Sequence, residues 1–176
     1  RGRHAVVRNR ELAAFALGYI LPATPPDYGI QAPAPPTLIL PRQGGVELVD
    51  RPYVVCLHGT SRESKEWPES HWRELVGRLA ANGYAVLFPW GNDTEKARAG
   101  RLCAGDGSAT VLPRLGLRDL AAILGRARAV IGVDSGLTHL ACALDRPTVA
   151  IYTDTSPVLT GVYPRDRSRG VNLGDA

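Results

Sequence analysis

AVIGVDSGLTHLACALDRPTVAIY, residues 129 to 152, holds a strand, a turn, a helix and a second strand in one stretch. Ala129 to Val133 is an uncharged run, the pattern of a strand buried on both faces of a parallel sheet. Asp134-Ser135-Gly136 breaks the run. Leu137, Leu140, Ala141 and Leu144 then fall at the spacing of a helix that lays one face on that sheet. The helix ends at Asp145-Arg146-Pro147, because proline cannot extend it, and Thr148 to Ile151 resumes as a strand. A parallel βαβ unit follows, and its polar groups gather at the turn. The first N–H groups of a helix have no partner within it, and the helix dipole adds partial positive charge there, so such an end attracts anions. Gly136 allows close approach to the backbone, Ser135 adds a hydroxyl and His139 lies one turn on. The same residues also read as a helix cap at Asp134 or Ser135 beside an ordinary half-buried histidine.

Working outward, 176 residues that are 44% hydrophobic suffice for one full core. No apolar run approaches the roughly 18 residues of a membrane span, and the basic start Arg1-Gly2-Arg3 leads into no clean signal core. Cys56, Cys103 and Cys142 are odd in number and not spaced as metal ligands, which argues against a disulfide framework or a zinc site and fits a reducing cytoplasm. The chain contains no methionine, hence no initiator, and is expected to be a piece of a longer protein. A formal charge of +4 with scattered arginines and 6% aromatic residues lacks the dense basic patch of a nucleic-acid binder.

Residues 4 to 17 read as an amphipathic helix stopped by Gly18. Pro22, Pro25, Pro26, Pro33, Pro35 and Pro36 then impose an extended linker, since each ring removes a donor and biases its predecessor away from helix. The expected division is residues 1–50 as the end of an N-terminal domain plus linker, and 51–176 as the main domain. Tyr53 to His58 is its first strand, followed by the polar loop Gly59 to Lys65. Pro68 suits the first turn of a helix carrying Trp72, Leu75, Val76, Leu79 and Ala80, which Gly83 ends. Ala85 to Phe88 is the second strand, and Asn92 with Glu95 has the spacing of a capping box that opens a helix through Leu102. Ala109 to Leu112 is the third strand, before a helix with Leu117, Leu120, Ala121 and Leu124 inward. Residues 129 to 133 and 148 to 151 form the fourth and fifth strands, and Gly170 to Asn172 suits a sixth.

Strands alternating with helices define an α/β, doubly wound, Rossmann-like parallel sheet. In the order 3-2-1-4-5-6, the first and fourth strands meet where the order reverses, and ligands bind beyond their carboxyl ends. That geometry brings Thr60 to Lys65 beside Asp134 to His139. The hydroxyls of Thr60, Ser61 and Ser135, the Lys65 ammonium and the helix end at Gly136 suit a diphosphate. Lys65 and Lys96 are the only lysines among many arginines, and Lys65 is a compact point charge for phosphate oxygens or else a solvated loop residue. The loop HGTSRESK after the first strand is neither GxGxxG nor a Walker lysine motif, which argues against a dehydrogenase or a P-loop enzyme. Gly132 to Gly136 is not GxSxG, which argues against a hydrolase triad of Ser135, His139 and an aspartate.

LHGTSRESKEWPESHW (57–72), LFPWGNDTEKARA (87–99), VLPRLGL (111–117) and GVDSGLTHLACALDRPTVAIY (132–152) together resemble the bacterial lipopolysaccharide heptosyltransferase I family. FALGYILPATPPDYGI (15–30) is similar to the end of that family's N-terminal half and its linker. The resemblance implies a GT-B glycosyltransferase, of which this chain carries the nucleotide-sugar-binding half. The donor would be ADP-L-glycero-D-manno-heptose and the acceptor the Kdo sugar of Kdo-lipid A, reached through the N-terminal domain at the inner face of the cytoplasmic membrane. Transfer would invert the anomeric centre, with neither cofactor nor protein-bound metal. By position, Thr60, Ser61 and Lys65 would touch the diphosphate, Glu95 the ribose, Leu115 the adenine and Asp134 the heptose, with Ser135, Gly136 and His139 on the phosphate side. Ser61 and Ser135 stand where the family has threonine, and Leu115 where it has methionine. Glu95 or Asp134 as a helix cap and Leu115 as core are the alternatives. No catalytic residue is expected here: the family's base is an aspartate of the N-terminal domain, so the chain alone is expected to be inactive. Other readings are half of a GT-B sugar-nucleotide epimerase, or a non-catalytic nucleotide-binding module.

Overall fold

Two neighbouring strands organise the molecule: β1 (Tyr53–Leu57) and β4 (Ala129–Val133), paired in parallel with Val54 opposite Ala129 and Leu57 opposite Gly132. The computed structural model describes residues 2–34, 51–105, 107–164 and 169–174. With β2 (Ala85–Phe88), β3 (Ala109–Val111), β5 (Thr148–Ile151) and β6 (Gly170–Leu173) they form a six-stranded parallel sheet in the order β3-β2-β1-β4-β5-β6. This is the doubly wound α/β arrangement, and the reversal of order falls between β1 and β4. The chain passes between strands through α2 (Glu69–Ala81), α3 (Asp93–Cys103), α4 (Leu117–Arg126), α5 (Gly136–Ala143) and α6 (Pro157–Thr160).

Alternate side chains of a strand leave opposite faces, so β1 feeds two cores. Val54 and Cys56 pack with Trp72 and Val76 of α2 and Ala99 and Leu102 of α3. Val55 and Leu57 pack on the other face with Ile123 and Leu124 of α4 and Ala141 of α5. Burial on both faces explains why the strands read as continuous apolar runs. Within β4, Gly132 is required by packing: a Cβ there would lie 2.9 Å from the Leu57 Cβ and would overlap the Thr138 hydroxyl.

An additional helix, α1 (Ala5–Leu17), precedes the sheet and ends at Gly18 in the left-handed conformation. The expected amphipathic character is not found. Ala14 is its buried residue, whereas Leu12, Phe15 and Leu17 face outward, because the helix touches the sheet domain through its first turn and through α6. There His4 accepts from Val6 N with Nδ1 and donates through Nε2 to the Gly161 carbonyl at 2.9 Å. The following stretch is irregular, as its prolines require. It is tied down by the Tyr28 hydroxyl donating to the Tyr163 carbonyl at 2.7 Å and by Ala32 lying against Gly125 of α4. Pro35, Pro36 and the rest of the expected boundary to residue 50 lie outside the described residues.

Two further expectations change. Leu117, read as inward, is 66% exposed, because it is the first residue of α4 and sits at the rim, beyond the sheet surface that buries Ile123 and Leu124. Pro68 is the residue before α2 rather than within its first turn.

Candidate functional site

The turn after β4 is shaped by three hydroxyl contacts. Thr138 Oγ1 donates to the Val133 carbonyl at 2.7 Å, so its proton is committed and the Ser135 hydroxyl must donate in their 3.0 Å contact. Ser135 Oγ also accepts from Thr138 N at 3.4 Å, the cap of α5. Of the two cap candidates, Ser135 therefore takes the cap and the Asp134 carboxylate is released from it. Gly136, the first residue of α5, is exposed, and a Cβ there would meet open space. Neither packing nor backbone conformation demands a glycine at this position; an approach to its N–H group would.

Freed from capping, Asp134 Oδ2 receives the Lys65 ammonium at 2.6 Å and the Thr155 hydroxyl at 2.7 Å. Lys65 and Asp134 side chains are 13% and 12% exposed, so the pair is shielded well enough for its attraction to exceed that of a surface ion pair. Burial pushes the Asp134 carboxyl up, but the hydrogen bonds from Lys65 and Thr155 outweigh it and hold the group below its ordinary range. His139 Nε2 stands 3.8 Å from Asp134 Oδ1. Burial lowers the His139 pKa, with the Asp134 charge opposing the shift.

The loop after β1 comes to the same point. Thr60 Oγ1 donates to the Asp134 backbone carbonyl at 3.0 Å, and a short 3-10 turn over Glu63–Lys65 presents the lysine. Ser61 is exposed on that loop. Glu95 arrives from α3: its N–H is capped by Asn92 Oδ1 at 2.9 Å, and its carboxylate accepts from Gly91 N at 2.6 Å. That carboxylate also covers Gly59, where a Cβ would lie 2.7 Å from Glu95 Cδ. Asn92 is thus the cap of α3, and the expected capping box is only half formed: the Glu95 carboxylate reaches Gly91 N, one residue before Asn92, and lies over the residue before Thr60. Leu115 stands apart from these groups, half-buried against the Val55 and Leu57 side of the core. Its loop starts at Leu112, whose carbonyl accepts from Trp90 Nε1 at 2.6 Å, and Lys96 Nζ lies 5.0 Å over the Trp90 ring.

The structure adds residues that the sequence reading missed. After β5, Asp154 accepts from Ser64 Oγ at 2.7 Å and Thr153 Oγ1 donates to the Ser64 carbonyl at 2.8 Å, which locks a third loop onto the first. Thr155 reaches Asp134 from this loop. The signal was present: Thr153 to Ser156 is a polar cluster at the carboxyl end of the strand beside β4, the position that marked the other two loops. The three loops thus bring one lysine, one helix N-terminus and several hydroxyls around the Asp134 carboxylate at the carboxyl ends of β1, β4 and β5. Among the described residues, no three His, Cys, Asp or Glu side chains converge on one point, and no helix is long and apolar enough to cross a membrane.

A family model described as glycosyltransferase family 9 (heptosyltransferase) matches residues 1–173. Lipopolysaccharide heptosyltransferase 1 of Pseudomonas aeruginosa is 46% identical over 98% of this chain and 45% of that protein. The E. coli heptosyltransferase WaaC solved with ADP superposes with a TM-score of 0.83 at 41% identity, over 98% of this chain and 51% of that one. The same enzyme solved with ADP-2-deoxy-2-fluoro heptose gives 0.78 at 39% identity, over 98% and 50%. The chain spans about half the length of the relatives it matches.

Proposed function

The chain belongs to glycosyltransferase family 9, the heptosyltransferases, and from that premise we propose that it is the donor-binding half of an enzyme transferring heptose from ADP-L-glycero-D-manno-heptose in lipopolysaccharide core assembly. The observation that carries the reading is the Lys65–Asp134 pair at the carboxyl ends of neighbouring β1 and β4, beside the open start of α5. A diphosphate placed there meets the Lys65 ammonium, the Thr60 and Ser61 side of the first loop and the N–H groups after Ser135, with His139 one turn on. Negative charge grows on the departing ADP as the glycosidic bond to phosphate breaks, and a fixed cation and helix end stabilise that charge where it develops. This compensation uses the chain's own groups, and the proposed reaction needs no cofactor or protein-bound metal. Glu95 is assigned to the ribose hydroxyls, Leu115 to the adenine face and Asp134 to the heptose hydroxyls. In this reading the acceptor is the Kdo sugar of Kdo-lipid A, presented at the inner face of the cytoplasmic membrane. The base that takes its proton belongs to the N-terminal domain of such enzymes, and the product has inverted configuration.

Calorimetry on the 176-residue chain tests the proposal, with ADP, UDP and the corresponding nucleotide sugars as ligands. The expected outcome is ADP binding with little or no UDP binding, and a loss of about 1.5 to 3 kcal/mol of ADP affinity in Lys65→Ala, the range of a hydrogen bond to a charged group. Preference for UDP would move the chain to a sugar-nucleotide epimerase, and an unchanged ADP affinity in Lys65→Ala would remove the lysine from the phosphate site.

A further inference from the structure

A charged side chain with no contact to Asp134 or to the start of α5 lies under the first site loop. Arg98, on α3 one turn beyond Glu95, is 6% exposed. Burying a guanidinium is costly unless its charge and its donors are matched, so its partners show what the position is for. NH2 donates to the Trp67 carbonyl at 2.6 Å, and NH1 meets Glu66 Oε2 at 2.6 Å and the His58 carbonyl at 3.4 Å. Glu69 Oε1 lies 3.8 Å from Nε. His58 and Trp67 are the two ends of the loop that carries Gly59, Thr60, Ser61 and Lys65. One planar group therefore closes that loop at its base, and Glu66, its carboxylate partner at 2.6 Å, is the residue after Lys65.

We propose that Arg98 is a positioning residue for phosphate recognition: it bridges the His58 and Trp67 carbonyls and thereby holds the Lys65 loop at the height where its ammonium meets a diphosphate. The inference rests on the reading of this site as an ADP site and deepens it. The geometry explains why arginine rather than lysine stands here. Arginine offers several donors in a rigid fork and can hold two carbonyls and a carboxylate at once, whereas an ammonium cannot span those acceptors from one stem. α3 thereby serves the site twice, since Glu95 lies over Gly59 at the beginning of the same loop while Arg98 locks its end.

The test compares ADP with adenosine, which keeps the base and ribose but lacks the diphosphate. In Arg98→Lys, ADP affinity should fall by tenfold or more while adenosine affinity stays within about twofold, both measured by competitive calorimetry on the 176-residue chain. Glu66→Ala, which loosens the same clamp from the loop side without touching α3, should show the same split to a lesser degree and keeps the test available should Arg98→Lys fail to fold. In a Lys65→Ala background, Arg98→Lys should cost little further ADP affinity, because the group it positions is gone. Equal losses for adenosine and ADP, or an unchanged ADP affinity in folded Arg98→Lys, would overturn the clamp while leaving the ADP site intact. Failure of the unaltered chain to bind ADP would overturn the site reading and the clamp together.

Discussion

His58 stands immediately before the first site loop, yet it is fully buried, and neither ring nitrogen has a hydrogen-bond partner among the described residues. Burial, with the Arg98 charge adding to it, pulls its pKa down to about 4 against the opposing Glu95 charge. The folded chain therefore keeps His58 neutral where an unfolded chain protonates it. Between the ordinary histidine value and about 4 the unfolded state binds more protons, so stability falls as pH falls across that window. The slope from one such group is at most about 1.4 kcal/mol per pH unit. His58→Leu removes a titrating group that makes no hydrogen bond, and chemical denaturation should show unchanged or higher stability at pH 8 with a shallower decline toward pH 4. An equally steep decline in the variant would assign the acid sensitivity elsewhere. At this scale the sequence was a partial guide. That the loop carrying Lys65 and the turn at Asp134 would lie side by side was legible, because they follow β1 and β4, but the direct pairing of the two side chains was not. Nor was Arg98, whose partners lie at His58, Glu66 and Trp67, a separation that no helical or strand period connects.

Elements were read more completely than residues, because each strand and helix carries its own pattern. β1 and β4 appear as uncharged runs, α3 opens with the Asn92 cap, and α1 stops at Gly18. Where the reading failed, the missing information was what surrounds the element. Leu117 keeps the period of α4 but lies past the sheet, and the apolar residues of α1 have no sheet beneath them. Gly132 carries the element-scale prediction. Its missing side chain lets Thr138 approach β4 and donate to the Val133 carbonyl, which sets the turn that frees Asp134 from capping. A Cβ there meets Leu57 at 2.9 Å and the Thr138 hydroxyl closer still. Gly132→Ala should cost about 1 to 3 kcal/mol of stability, the usual penalty for overpacking, read from the denaturation midpoint. ADP affinity should fall with it, since the Asp134 turn shifts; stability equal to that of the unaltered chain would refute the close approach.

Across the whole molecule, the order 3-2-1-4-5-6 was the one taken from the Rossmann-type class that alternating strands and helices define, and it is the order found. The attachment of residues 4–34 through His4, Tyr28 and Ala32 was not foreseeable, because those contacts join parts of the chain more than ninety residues apart, such as Tyr28 to Tyr163, which differ by 135 positions. The Lys65–Asp134 pair has a bearing at this scale too. A chain of formal charge +4 ought to draw anions in from a distance. The one lysine at these loops, however, already has a carboxylate at 2.6 Å, so under the proposed function an arriving nucleotide would meet a locally compensated charge and exchange places with Asp134. Capture should then be governed by that short-range exchange rather than by long-range attraction. Stopped-flow association of ADP should slow only slightly between 20 mM and 500 mM salt, whereas Asp134→Asn, with the ammonium uncovered, should bind faster at low salt and lose that advantage as the Debye length shrinks from about 20 Å to about 4 Å. If both proteins respond to salt alike, the carboxylate is not what the nucleotide displaces.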